Sequence, residues 1–223
     1  MGYSRSEKYL YIQKRYGGMT LVQASIANKG DSIILIADRL LTTYLGGDIP
    51  DYETEWSQPK ILSKGNVGIG FAGTALYADM VLSRREENLS DLDKIVENIS
   101  NIVKGIRKEI VDNEIFRVTR VDADDFLKNV QSNIPEKTKE YVYGMLMGFE
   151  FGLGCIVAGF DQDKRANIYL IGDEGDKNCF TNFGVCSIGS GEIFSQIYFD
   201  QNQYDISMSE KQILFSLEKM EKK

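Results

Sequence analysis

The chain has 223 residues, of which 43% are hydrophobic and 26% are charged, and its formal net charge at pH 7 is −7. These proportions are ordinary for a globular protein and exclude a wholly disordered chain. The acidic balance argues against a nucleic-acid partner, because such proteins carry a basic patch. No apolar run approaches the ~20 residues of a membrane helix, and the first residues lack the hydrophobic segment of a secretory signal. We therefore expect a cytoplasmic protein with no membrane partner.

Two residue types narrow the chemistry further. The sequence contains no histidine, which excludes a Ser-His-Asp or Cys-His mechanism and a histidine-ligated zinc site. The spacing of the three cysteines, Cys155, Cys179 and Cys186, fits neither a zinc site nor a CxxC redox motif. We expect them to be reduced, partly buried thiols, and we expect no metal and no cofactor. A hydrolase with this sequence must use another general base.

The first 18 residues differ in character from the rest of the chain. They are polar, aromatic and basic, and they end in Gly17-Gly18, a flexible junction. The sequence therefore predicts an N-terminal extension over residues 1–18 and one domain over residues 19–223.

The domain begins with two predicted hairpins. Polar and apolar residues alternate over 20–27, and an apolar run over 32–38 predicts a strand that is buried on both faces. A long polar loop is predicted over 42–58. The strands of the second hairpin are predicted over 60–63 and 67–72, and the alternating glycines in the latter indicate close packing against another backbone.

Helical periodicity dominates the middle of the chain. Apolar residues, Leu76 among them, recur at helical spacing over 74–84 and again over 92–111. Pro135 is placed to begin another helix that runs to about residue 149. The polar residues 113–134 have no assignable pattern.

The last third of the chain mixes both kinds of element. Strands are predicted over 155–160, 167–172 and 185–188, and two helices come after them, the second beginning at Ser207 with Glu210 as its capping partner. Hairpins imply antiparallel pairing, and helices that come in runs favour an α+β or layered fold over a doubly wound sheet.

Three local features could carry chemistry. Asp38 stands beside Arg39 at the end of a buried strand, where it forms either a structural ion pair or a carboxylate that opens onto a cleft. Lys60 begins a strand, and it is either a lysine whose stem covers apolar surface or an acid/base group. Residues 189–191, Gly-Ser-Gly, lack the rest of a phosphate-binding loop. They are more typical of a tight turn that presents N–H groups and a hydroxyl.

In their order and spacing, these features resemble those of proteasome β-type subunits, and more closely the orphan bacterial and archaeal proteins related to them. The resemblance runs from about Met19 to Ser216. The matching stretches are residues 19–22 (MTLV), 33–39 (IILIADR), 58–61 (QPKI), 70–73 (GFAG), 157–161 (VAGFD), 168–173 (IYLIGD) and 187–191 (SIGSG).

The resemblance implies a fold and an activity. The fold is a four-layer αββα sandwich, in which helices cover two stacked antiparallel sheets. The family consists of N-terminal-nucleophile hydrolases, in which a threonine at the start of the first strand attacks a peptide carbonyl and its own α-amino group is the general base. An unperturbed α-amino group has a pKa of about 7.7–8.0, close to neutral. The resemblance also implies a homo-oligomer, arranged as a ring or a stacked assembly.

The resemblance assigns roles to five residues, each by its match to the family's motifs. Thr20 stands near the nucleophile position, and Asp38 matches the acid that pairs with the activating lysine, Lys60. Gly73 matches the glycine whose backbone N–H forms the oxyanion hole. Ser190 matches the serine near the N-terminal amine.

Two departures leave alternatives open. Met19 separates Gly18 from Thr20, and aligning Val22 with the family places Thr20 one residue beyond the usual nucleophile. Either processing exposes Thr20 and the chain is a threonine-type peptidase or amidohydrolase that acts on a peptide or amide, or the chain is a catalytically silent proteasome-fold subunit for assembly or binding. The family also has two further strands after the last helix. These strands carry an Asp and a Ser that support the nucleophile, so we expect either more chain beyond Lys223 or an incomplete site. The exposed sheet edge would then be covered by a partner or by the N-terminal segment.

Overall fold

The structure is a computed structural model, and it describes residues 8–14, 20–38, 40–43, 52–55, 60–128 and 134–220. Several residues of the sequence patterns lie outside the described ranges: Gly17, Gly18, Met19, Arg39, Gln58 and Pro59. None of the helices in the described ranges is long and apolar enough to cross a membrane.

The strands of the described part form two main sheets. In chain order they are β1 (Lys8–Lys14), β2 (Val22–Ala27), β3 (Ser32–Asp38), β4 (Leu40–Thr43), β5 (Tyr52–Glu55), β6 (Ile61–Lys64), β7 (Val67–Gly73), β8 (Leu153–Phe160), β9 (Ala166–Ile171), β10 (Lys177–Cys179) and β11 (Val185–Ile188). The first sheet has the order β1-β3-β2-β11, the second has the order β10-β9-β8-β7-β6, and β4 pairs with β5. Every pairing is antiparallel except that of β1 with β3.

The helices have the order α1 (Ala75–Arg84), α2 (Leu92–Val111), α3 (Arg117–Thr119), α4 (Ala123–Lys128), α5 (Glu136–Met147), α6 (Glu192–Gln201) and α7 (Glu210–Met220). A single π turn over Asp112–Phe116 joins α2 to α3. The segment 113–134, which shows no assignable pattern in the sequence, is therefore mostly helical where it is described. Asn28–Gly30 forms the tight turn that was predicted between β2 and β3.

The two sheets face one another across a shared apolar core. Val22, Ala24 and Ile26 alternate along β2 and pack in one buried cluster with Ile156 of β8 and Ile168 of β9. This period of two is what a strand with one face toward a core requires. The predicted strand alternation over 20–27 is confirmed for these residues.

Helices cover the outer faces of both sheets. On the first sheet, Ile34 and Ile36 of β3 pack with Phe199 of α6 and Ile213 of α7. On the second sheet, residues of β7 and β8 pack against a buried stripe of α2; the stripe consists of Leu92, Ile95, Val96, Ile99, Val103, Ile106 and Ile110. The fold is therefore α+β with two facing sheets, which is compatible with a sandwich. The prediction that β3 is buried on both faces is confirmed, because all its residues are buried.

One glycine fixes how closely the sheets approach. A Cβ atom on Gly70 of β7 would lie 2.5 Å from Cγ1 of Val22 on β2, a separation that real Cβ contacts do not reach. Gly70 is thus closely packed, but against the side chain of Val22 and not against a backbone as predicted. The contact also ties β7 to the start of β2, where the candidate site lies.

The N-terminal segment contributes a strand to the first sheet. β1 runs parallel to β3, with Lys8 opposite Ser32 and Lys14 opposite Asp38. β1 therefore occupies the β3 edge of this sheet.

Two local predictions were wrong. The segment 42–58 is not one continuous loop, because β4 and β5 pair there; threonine and tyrosine, which occur in these stretches of sequence, favour strands. The last helix begins at Glu210 and not at Ser207.

A different pair of residues caps this last helix. The backbone N–H of Ser209 donates to Oε1 of Gln212, and the backbone N–H of Gln212 donates to Oγ of Ser209. This is the reciprocal arrangement of a capping box. Glu210 instead accepts a hydrogen bond from the hydroxyl of Ser32 at 2.7 Å.

Candidate functional site

Thr20 lies two residues before the start of β2. The loop that precedes α6 holds its backbone through two hydrogen bonds. Its backbone nitrogen donates to Oγ of Ser190 at 3.0 Å, and its carbonyl oxygen accepts from the N–H of Gly191 at 2.9 Å. Gly189 has φ +98°, and a Cβ atom there would lie 2.4 Å from the Thr20 carbonyl oxygen. The loop therefore requires glycine at this position in order to close on Thr20.

A buried ion pair between Asp38 and Lys60 binds the backbone of Leu21, the residue that follows Thr20. The Nζ atom of Lys60 is 2.7 Å from Oδ1 of Asp38, and the two side chains are 5% and 0% exposed. The other carboxylate oxygen, Oδ2, accepts from the backbone N–H of Leu21 at 2.6 Å. Buried charges persist when they are paired and hydrogen-bonded in this way.

The geometry excludes one alternative for Lys60, a lysine whose stem covers apolar surface while its ammonium group reaches solvent. Its ammonium group does not extend to solvent, because the residue is almost fully buried and its nitrogen binds Asp38. Lys60 stands just before β6, and its carbonyl oxygen accepts from the N–H of Phe71 on β7 at 3.0 Å. The lysine is thus held by both its backbone and its side chain.

Gly73 ends β7 in a conformation that favours glycine. Its φ is +111°, and a Cβ atom there would lie 2.0 Å from the carbonyl oxygen of Gly152. The same oxygen accepts from the N–H of Thr74 at 2.8 Å. Gly73 is exposed and lies three residues beyond Gly70, which packs against Val22. A glycine exposed at a strand end can present its backbone to a ligand.

The structure thus joins four of the five predicted site residues in two linked pairs. Thr20 binds Ser190, Asp38 binds Lys60, and the backbone of Leu21 connects the pairs. Together they place a hydroxyl side chain, a backbone nitrogen and a buried ammonium–carboxylate pair at one end of β2. The carboxylate of the buried pair thus binds the residue that follows Thr20.

A buried polar network beside this loop was not predicted from the sequence. Oγ of Ser195 on α6 donates to Oε1 of Gln23 on β2 at 2.5 Å and lies 2.8 Å from Oγ of Ser187 on β11. The N–H of Ser195 also binds the carbonyl oxygen of Gly191. The network therefore fixes the first turn of α6 relative to β2. Its one sequence signal was a glutamine among buried strand residues.

The cysteines do not offer a competing nucleophile in the interior. Burial raises the pKa of the Cys186 thiol to about 12, and burial together with the charge of Asp173 raises the pKa of Cys155. Both thiols are therefore protonated at neutral pH, and only a thiolate is nucleophilic. Cys179 is exposed. Within the described ranges, no cluster of Cys, Asp and Glu side chains could hold a metal ion.

Comparison with known proteins gives a fold. No protein-family model matches the sequence, and no curated protein matches it either. Among 344 matching chains of solved structures is a mutant, designated Gly-1, of the proteasome-related protein Anbu from Hyphomicrobium sp. strain MC1. It superposes with a TM-score of 0.56 over 89% of this chain and 72% of that chain, at 13% sequence identity. At this identity the likeness is one of architecture, and the fold of the present chain is proteasome-like.

Proposed function

We propose that the chain is a threonine-type peptidase or amidohydrolase, built on the four-layer αββα sandwich of N-terminal-nucleophile hydrolases. Thr20 is its nucleophile once it becomes the N-terminal residue. The observation that carries the proposal is the 3.0 Å hydrogen bond between the Thr20 nitrogen and Ser190, together with the buried Asp38–Lys60 pair held through Leu21.

The proposed reaction assigns a step to each of these groups. Oγ1 of Thr20 attacks the carbonyl carbon of a peptide or amide, and its proton passes to the α-amino nitrogen of the same residue. The backbone N–H of Gly73 stabilises the oxyanion of the tetrahedral intermediate. The amino group then returns the proton to the leaving amine, which leaves an ester on Thr20. Water hydrolyses the ester and frees the hydroxyl.

Lys60 and Ser190 tune the base. A buried ammonium group disfavours a second positive charge nearby, so Lys60 keeps the α-amino group neutral and able to accept a proton. Asp38 holds Lys60 in place. Ser190 orients the amino nitrogen through the hydrogen bond that it now makes with that atom. No cofactor is needed for this chemistry.

The proposal includes the chain's organisation. Residues 1–18 are an extension that must be removed to free the amine. Residues 19–223 are the domain of a cytoplasmic homo-oligomer, which is catalytic once Met19 is also removed. Exposed apolar side chains on α6 support self-association, since Ile193, Phe194 and Ile197 are 66%, 57% and 49% exposed. Exposed apolar groups that lie together favour protein contacts.

A second function is favoured by one specific observation. In the sequence as it stands, Met19 precedes Thr20, so the nitrogen that binds Ser190 belongs to a peptide bond and cannot act as a base. If the extension stays attached, the contacts of Thr20 with Ser190 and Gly191 only stabilise the fold. The chain is then a noncatalytic proteasome-fold subunit for assembly or binding.

The N-terminus of the mature protein separates the two functions. The protein should be purified untagged from its native source, and its intact mass and N-terminal sequence should be measured. The peptidase requires a chain that begins at Thr20. A mature chain that keeps Met19 would contradict it and support the noncatalytic subunit.

A further inference from the structure

Asp173 holds the backbone next to Gly73 with both of its carboxylate oxygens. It lies just after β9, and its Oδ1 accepts from the N–H of Leu153 at 2.8 Å, while Oδ2 accepts from the N–H of Gly152 at 3.1 Å. Hydrogen bonds from N–H groups to a carboxylate are stronger than neutral ones. One side chain therefore fixes two consecutive peptide groups at the start of β8.

The peptide group between Gly152 and Leu153, which Asp173 holds, contacts the backbone of Gly73 and Thr74. The carbonyl oxygen of Gly152 accepts from the N–H of Thr74, and it lies 2.0 Å from the position that a Cβ atom on Gly73 would occupy. Leu153 is also the ladder partner of Gly73 in the β7–β8 pairing. A shift of the Gly152–Leu153 backbone would therefore move Gly73.

The turn that carries Asp173 is itself anchored to α2. The N–H of Gly172 binds the carbonyl oxygen of Asp176 at 3.1 Å, and the buried hydroxyl of Ser100 donates to the carbonyl oxygen of Gly175 at 2.6 Å. A Cβ atom on Gly175 would lie 2.7 Å from the Ser100 carbonyl oxygen. One hydrogen bond thus closes the turn, and the contacts of Gly175 with Ser100 hold the turn against the middle of α2, the longest helix described.

We infer that Asp173 is a positioning residue for the oxyanion hole, acting through Gly152 and Leu153 on the N–H of Gly73. The inference rests on the proposed function. It extends that function by a contact chain that runs from Ser100 on α2 to the oxyanion donor. Asp173 itself need not touch the substrate.

The test compares the Asp173→Ala and Asp173→Asn variants with Asp163→Asn, all prepared as chains that begin at Thr20. Asp163 is a control because it lies in the neighbouring β8–β9 hairpin, where it pairs with an exposed arginine. Active sites are counted by titration with a β-lactone, so that rates refer to folded enzyme. Amide hydrogen exchange is followed by NMR at Thr74, Gly152 and Leu153, whose N–H groups are hydrogen-bonded.

We expect Asp173→Ala to lower kcat per active site about tenfold or more with little change in KM, because an oxyanion donor acts in the transition state. Loss of one such donor costs about 10²–10³ in kcat, which is the upper limit for an indirect effect. The kcat of Asp173→Asn should lie between those of Asp173→Ala and the parent chain, since an amide oxygen can accept one N–H. The kcat of Asp163→Asn should equal that of the parent chain. Exchange at Thr74, whose N–H binds the Gly152 carbonyl oxygen, should quicken only in the Asp173 variants.

Two results would overturn the inference. One is an unchanged kcat per active site in Asp173→Ala, and the other is faster exchange at Gly152 and Leu153 that does not extend to Thr74. If the parent chain itself fails to react with the β-lactone, the proposed function fails and the catalytic role of Asp173 fails with it. The exchange data would still report separately whether Asp173 holds the Gly73 backbone.

Discussion

The hydroxyl of Ser190 accepts a hydrogen bond from the backbone nitrogen of Thr20 at 3.0 Å, across 170 residues of sequence. The bond joins the start of β2 to the loop before α6. If Thr20 is N-terminal, the same nitrogen is the catalytic base, so this contact positions the base relative to the fold.

Ser190→Ala tests whether this contact serves catalysis or only stability. The residue is exposed, so loss of its hydroxyl should cost no more than about 1 kcal/mol of unfolding free energy. In a chain that begins at Thr20, acylation by a β-lactone should slow about tenfold or more, because general-base catalysis contributes about 10²–10⁴ and depends on orientation. Ser83→Ala, which removes an exposed hydroxyl bonded within α1, should change neither. Equal acylation rates in both variants would argue against the catalytic role.

Lys60→Ala should be strongly destabilising. The change leaves the carboxylate of Asp38 buried without its ammonium partner, and breaking a buried pair typically costs about 3–5 kcal/mol. The matched control is Arg84→Ala, because the Arg84–Glu109 pair has a similar N–O distance of 2.9 Å but side chains that are 42% and 49% exposed. That variant should lose less than about 1 kcal/mol. Urea unfolding measures both, and similar losses in the two variants would refute the buried, coupled pair.

Gly73→Ala should be destabilising for a backbone reason. The new Cβ atom would clash with the Gly152 carbonyl, and φ of +111° strains any L side chain. We expect a loss of more than about 1 kcal/mol. Gly105→Ala is the control, since nothing lies within 4 Å of its Cβ position in α2, and there alanine should stabilise the protein by about 0.5–1 kcal/mol. Thermal melts of the two variants should move in opposite directions, and a shift in the same direction would contradict the described conformation of Gly73.

The three thiols should differ sharply in reactivity. Iodoacetamide at about pH 8, near the ordinary thiol pKa, should modify Cys179 in the folded protein and leave Cys155 and Cys186 untouched. The latter two are buried and their pKa values are raised, for Cys186 to about 12. All three should react once the protein is unfolded in urea. Mass spectrometry of the alkylated peptides gives the result, and rapid labelling of Cys186 in the folded chain would mean that β11 is not covered as described.

Local patterns predicted much of the fold, because their causes are local. The alternation along β2 and the stripe of α2 report which face is buried, and the predictions for both hold. The start of the last helix could not be read in this way. Glu210 binds Ser32 across the fold, so a tertiary contact takes the side chain that the sequence pattern assigned to capping.

The residues of the candidate site also differ in whether the sequence could identify them. Asp38, Lys60 and Ser190 were identified by their resemblance to a family pattern. The Asp38–Lys60 and Ser190–Thr20 contacts support that choice. The amide of Leu21 and the carboxylate of Asp173 were not foreseen, because each takes part in a contact with a group about 20 residues away. No periodicity or motif encodes a contact of that kind.

The most direct test of the central claim is to locate the atom that a β-lactone acylates in a chain that begins at Thr20. The lactone ring opens on a nucleophile and adds its whole mass, so fragmentation of the labelled N-terminal peptide identifies the residue. We predict one adduct per chain on Thr20, absent from Thr20→Ala, retained in Thr20→Ser, and absent when residues 1–19 remain attached. Labelling of another residue, or no labelling of a folded chain with a free Thr20 amine, would contradict the claim that Thr20 is the nucleophile.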